Sequence, residues 1–114
     1  TPLQALVTMN DPVYVEAAQS LARTMAKSSN LLAEQISNGF KICLSRDPQN
    51  SELDRLVALF HQVKKRYDKD VGLAKKMATD PIGPAPKDLN LVDLAALTVT
   101  GNVLLNLDEM MMKR

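Results

Sequence analysis

Fourteen consecutive residues, Leu94 to Leu107, carry no charge, and wound as a helix they are apolar or neutral on every side. A helix of that kind does not stay on the surface of a globule; it has to be enclosed by other elements. The run is also shorter than the roughly 20 residues needed to cross a bilayer. It therefore predicts a buried central helix, started by Asn90 and Asp93, in which Thr98 and Thr100 can bond back to helix carbonyls.

The rest of the sequence supplies helices to enclose it. Thr1 and Pro2 can open a short helix ending near Met9. Asp11 and Pro12 repeat the device for a helix reaching about Ser28, with Tyr14, Ala17, Ala18, Leu21 and Met25 facing inward. After a break and cap at Ser28-Ser29-Asn30, Leu32, Ile36, Gly39, Phe40 and Cys43 recur at helical spacing up to about Ser45. Gly39 falls inside this stripe at a cost of about 1 kcal/mol of helix propensity relative to Ala, so close approach by another helix is expected there. Arg46-Asp47-Pro48-Gln49-Asn50 reads as a turn. Ser51 and Asp54 follow as a capping box for a helix whose inner stripe is Leu53, Leu56, Val57, Phe60, Val63 and Tyr67. Asp70 can cap a short helix from Val71 to Ala78, and the prolines and glycine between Asp80 and Pro86 make that stretch a loop.

No segment alternates with period two. The expected class is all-α, a compact helical bundle of about five or six helices around a central hydrophobic C-terminal helix, forming one domain over residues 1–114. With no Trp, two Phe and two Tyr, its core must be packed from Leu, Val, Ala and Met. The chain begins at Thr1 without an initiator Met, which reads as a cut domain or a processed fragment.

Charge narrows the functional classes. Fourteen Lys and Arg against thirteen Asp and Glu leave a formal charge of +1, with no global field to gather nucleic acid or an anionic membrane. Lys64, Lys65, Arg66 and Lys69 are interleaved with Asp68 and Asp70 and read as a solvated face. Cys43 has no second cysteine to pair with and reads as a small hydrophobe. His61, the only histidine, sits beside Phe60 at the edge of the apolar stripe; alone it does not supply the three or four ligands zinc takes. A Ser or Cys nucleophile would need it as base.

Met110, Met111 and Met112 read as packing residues at a helix end rather than haem or copper ligands, and Cys43-Leu44-Ser45-Arg46 is not a covalent haem attachment sequence. No cofactor or metal site is expected. Asp108 and Glu109 stand near a helix C-terminus, where negative charge opposes the helix dipole. They call for a new turn capped by Asn106 or Asp108, or for a cation such as Arg46 or Arg23.

Three stretches carry a family resemblance: Thr1 to Ala18; Arg46-Asp47-Pro48 with Glu52 and Leu53; and Ala95-Ala96 through Leu104-Leu105-Asn106-Leu107-Asp108-Glu109. Together they resemble the C-terminal region of a planctomycete-specific domain family of unknown function. Members occur in large proteins that often also carry a planctomycete cytochrome-c-like domain. The family tends to have an aromatic where this chain has Leu97, another at Met110, and a threonine cap at Gln49. The resemblance implies an extracytoplasmic parent, secreted or in the cell envelope, connected through companion domains to electron transfer or polysaccharide breakdown.

Two functions are expected from these readings. The first is a non-catalytic helical module that packs against the preceding domain of its parent chain or holds another protein, with Asn10, Asp11, Arg46, Asn106, Asp108 and Glu109 as its interaction or structural motif. The second is the helical portion of an enzyme, supplying Asp11, Arg46, Asp108 or Glu109 to a site completed upstream.

Overall fold

In the computed structural model, the backbone is described from residue 12 to 112 and the side chains from residue 15 to 107. The expected helix from Pro2 to Met9, the Asp11 cap and the inward Tyr14 side chain lie outside the described residues. Five helices follow one another: α1 (Pro12–Ser28), α2 (Leu32–Leu44), α3 (Asn50–Asp68), α4 (Val71–Thr79) and α5 (Leu91–Met112). There is no strand among the described residues, and the chain is an all-α bundle.

The centre of that bundle is α5. Every residue from Leu94 to Asn102 is buried, and the helix packs against all four of the others, most extensively against α1. Thr98 and Thr100 sit on it without breaking its apolar character. Their hydroxyls donate to Leu94 O at 2.8 Å and Ala96 O at 2.9 Å. No helix among the described residues is long and apolar enough to cross a membrane.

Two close approaches set the helix spacing. A Cβ on Gly39 would stand 2.6 Å from Met25 Sδ, so α1 and α2 meet where only hydrogen fits. On Gly101 it would stand 3.3 Å from the Ala18 carbonyl oxygen, where α1 crosses α5.

Three local expectations are corrected. Ala17 is exposed; Ala18, Leu21 and Met25 are buried as expected, and Val15, Gln19 and Ala22 complete the inner face of α1. Held between α2 and α5, with α4 alongside, α1 turns this line toward the core.

The turn before α2 places Leu31, with no side-chain cap, at the N-cap position. Its fastening comes from Gln35, whose amide donates to Ser29 O at 2.8 Å and Ala26 O at 3.3 Å. Helix α3 begins at a Gln49 N-cap with Glu52 Oε1 accepting the Gln49 N–H at 2.8 Å, not at a Ser51 and Asp54 box. Glu52 is also gripped by Arg46, and only this register serves both partners. Asp70 and Asn90 cap as expected: Asp70 Oδ1 accepts from Leu73 N at 3.0 Å and Asn90 Oδ1 from Asp93 N at 3.0 Å.

Candidate functional site

The capping of α5 by Asn90 fixes the first turn so that Asp93 reaches back to α3, where it meets Lys64 Nζ at 2.8 Å. One turn earlier on the same face of α3 lies His61, its exposed ring set edge to face against Phe60 with centroids 5.5 Å apart. These side chains stand at the mouth of a cleft of about 450 Å³, bounded by the end of α1, the start of α2, the middle of α3, the segment before α5 and the first turns of α5. Its floor is Phe60, Leu94 and Leu97, all nearly or fully buried. Asp88 and Asn90 close the side formed by the segment before α5. The floor is apolar, while the mouth carries charges of both signs.

A second hollow, of about 540 Å³, lies along the proline-rich loop between Lys75, Thr79, Pro84 and Lys87. That loop is anchored from the inside. Gln19 is completely buried, and its Nε2 donates to Met77 O and Asp80 O, both at 2.7 Å, while Oε1 accepts from Ile82 N at 3.2 Å. Arg23 Nη2 adds donations to Gly83 O at 2.6 Å and Ala78 O at 3.2 Å. Sequence reading missed Gln19 and gave Arg23 a different role, as a cation for Asp108 or Glu109. The available signal was that Gln19 lies four residues after Val15 and beside Ala18 and Ala22, on the buried line of α1.

Arg46 holds the corner between α2 and α3. Its guanidinium makes two 2.9 Å bonds to the Glu52 carboxylate, donates to Asp47 O at 3.2 Å and lies 4.8 Å from the Phe40 ring centroid. Lys41 and Asp47 add an exposed pair at 3.2 Å. Arg46 is engaged by Glu52 and Arg23 by backbone carbonyls, while the structure does not describe the Asp108 and Glu109 side chains they were expected to meet. Nor does a new turn begin at Asn106 or Asp108, because α5 runs unbroken to Met112; within it Asn106 Nδ2 donates to Asn102 O at 2.9 Å. Neither Arg46 nor Asn106 lines the cleft. Asn10, Asp11 and the side chains of Asp108, Glu109 and Met110 to Met112 lie outside the described residues.

The protonation shifts all point the same way. The hydrogen bond to Asp93 raises Lys64 above the usual lysine value, with attraction to the same carboxylate adding to it. The bonds from Arg46, and then from the Gln49 N–H, pull Glu52 down to about 2, and Arg46 is raised in return, chiefly by its bond to Glu52. Burial pushes the Tyr67 phenol up to about 12. Each displaced group is fixed more firmly in its neutral-pH state. Among the described residues, no group of three or more His, Cys, Asp or Glu gathers as for a metal ion.

This is a helical bundle whose polar side chains brace corners and loops around one amphipathic cleft. Residues 1–60 match the family described as protein of unknown function (DUF1553), and the chain belongs to that family. No curated protein and no solved structure matches it.

Proposed function

We propose that the chain is a non-catalytic recognition module of a larger protein, one that docks against the preceding domain of its parent chain or another protein. The observation that carries this reading is the Lys64–Asp93 ion pair at the cleft mouth, 2.8 Å long, which commits the ammonium there to staying charged. A general base or a nucleophilic lysine needs a pKa drawn toward neutrality. Lys64, the ammonium at the cleft mouth, is moved the other way and stays a cation. It is a group for binding and orienting, and so is its ion-pair partner Asp93.

The reading includes a C-terminal position in an extracytoplasmic planctomycete parent, supported by the resemblance of the end motifs. It also keeps Asn10, Asp11, Asn106, Asp108 and Glu109 as the docking motif. Arg46, committed to Glu52, acts in it as a brace. Amide hydrogen exchange on the 114-residue chain alone and within its parent tests the proposal. Added protection in the parent along Asn106 to Met112, or around the cleft at Lys64 and Asp93, is the expected result. Identical protection in both, or turnover of a substrate abolished by Lys64→Met, contradicts it.

A further inference from the structure

We infer that the cleft between α3 and the start of α5 binds a small zwitterion with an apolar side chain, of the class of a free aliphatic α-amino acid. The inference rests on the reading of the chain as a recognition module and names a ligand for its cleft. Three observations carry it. First, Lys64 and Asp93 place an ammonium and a carboxylate 2.8 Å apart at the mouth, with about two-fifths of each side chain still open to solvent. An ammonium has three donors and a carboxylate about four acceptor positions, so each can keep its partner and engage a second one. The complement of such a pair is a ligand that carries the same two charges a few ångströms apart in the opposite order.

Second, the mouth carries both signs, one ammonium and two carboxylates. His61 stands beside Lys64 on the donor side, and Asp88 lies with Asp93 on the acceptor side. A simple anion would face two carboxylates, and a simple cation would face Lys64. Only a molecule of both signs meets each group with its opposite. Third, the half-buried Ala26, Leu32 and Leu89 line the cleft above the enclosed Phe60, Leu94 and Leu97, hydrocarbon able to take an aliphatic side chain. The volume of about 450 Å³ lies toward the small end of ligand sites, which run from roughly 300 to 1,000 Å³.

In the bound arrangement the ligand carboxylate accepts from Lys64 Nζ and the His61 ring, its ammonium donates to Asp93 and Asp88, and its side chain lies over the floor. The test is titration of the isotope-labelled 114-residue chain with L-leucine, followed by amide shifts of Leu32, Lys64, Asn90 and Asp93. Two analogues each lack one charge: 4-methylpentanoate has no ammonium and 3-methylbutylamine has no carboxylate. Leucine is expected to bind, with each analogue at least about tenfold weaker, since each lacks one charge-assisted set of hydrogen bonds.

Asp93→Asn should weaken leucine about tenfold and strengthen 4-methylpentanoate, which then faces one carboxylate fewer, a pattern that general loosening of the fold does not produce. Absence of any shift up to about 10 mM leucine overturns the inference, as does equal binding of leucine and either analogue, and neither result needs a variant to fold. Either outcome leaves the docking proposal standing, because hydrogen exchange in the parent reads that separately.

Discussion

Gln19 is the residue whose role is hardest to guess from its identity. A glutamine inside a helix is ordinarily read as solvated, yet here the amide is fully buried and bonds to three backbone groups 58 to 63 positions away. Met77 lies in the last turn of α4, and Asp80 and Ile82 in the proline-rich segment after it, which has no ladder of its own, so no local pattern announces them. In Gln19→Ala, Met77 O, Asp80 O and Ile82 N lose their partner in or near the core. Unsatisfied groups of this kind cost about 1–3 kcal/mol each when water cannot replace the bond. We expect a loss of about 3 kcal/mol, read as a lower urea midpoint at unchanged slope. A change within about 0.5 kcal/mol would show that Gln19 does not hold the loop.

At the scale of elements, what was legible were those boundaries and contacts whose chemistry lies within a few residues of sequence. Pro12, Asp70 and Asn90 announced their helices, and Gly39 announced a close neighbour. The start of α3 was misplaced by two residues because Ser51 and Asp54 fit the capping pattern as well as Gln49 and Glu52 do. The deciding contact, Arg46 with Glu52, spans the turn.

That corner makes a pH prediction. The folded pKa of Glu52 is depressed from an ordinary 4.5 to about 2, so its contribution is complete above 4.5 and is lost as pH falls toward 2. Glu52→Gln should flatten stability across that window, and a variant that loses stability as steeply as the parent would refute the assignment.

Gly39 sets two effects in opposition. Gly39→Ala gains about 1 kcal/mol of helix propensity, but the new methyl meets the terminal atoms of Met25 at 2.6 to 2.9 Å. Met25 is wholly buried and has no solvent to move into, and overpacking costs about 1–3 kcal/mol. The net expectation is destabilisation of about 1 kcal/mol, partly relieved in a double variant with Met25→Ala. Additive effects of the two changes would mean that the side chains do not compete for one space.

For the whole molecule, the uncharged run from Leu94 to Leu107 decided the architecture, because a helix without a polar face forces its neighbours around it. The cleft was not legible, since five segments meet there and its residues read singly as a cap, a helix start, a solvated lysine and a boundary histidine. The central position of α5 has a cooperative consequence. Leu104 is fully buried, and truncating such a leucine to alanine costs roughly 2–5 kcal/mol through lost burial and the cavity left behind.

Because α1, α2, α3 and α4 all pack on α5, that loss cannot stay local. Leu104→Ala should lower the opening free energy of the slowest amides in α1 and α3 by the same amount as in α5, about 3 kcal/mol throughout, as one unfolding unit requires. If exchange accelerates in α5 while α1 and α3 keep their protection, the bundle is made of separable units. The helix inferred here to organise it would then be only one of its parts.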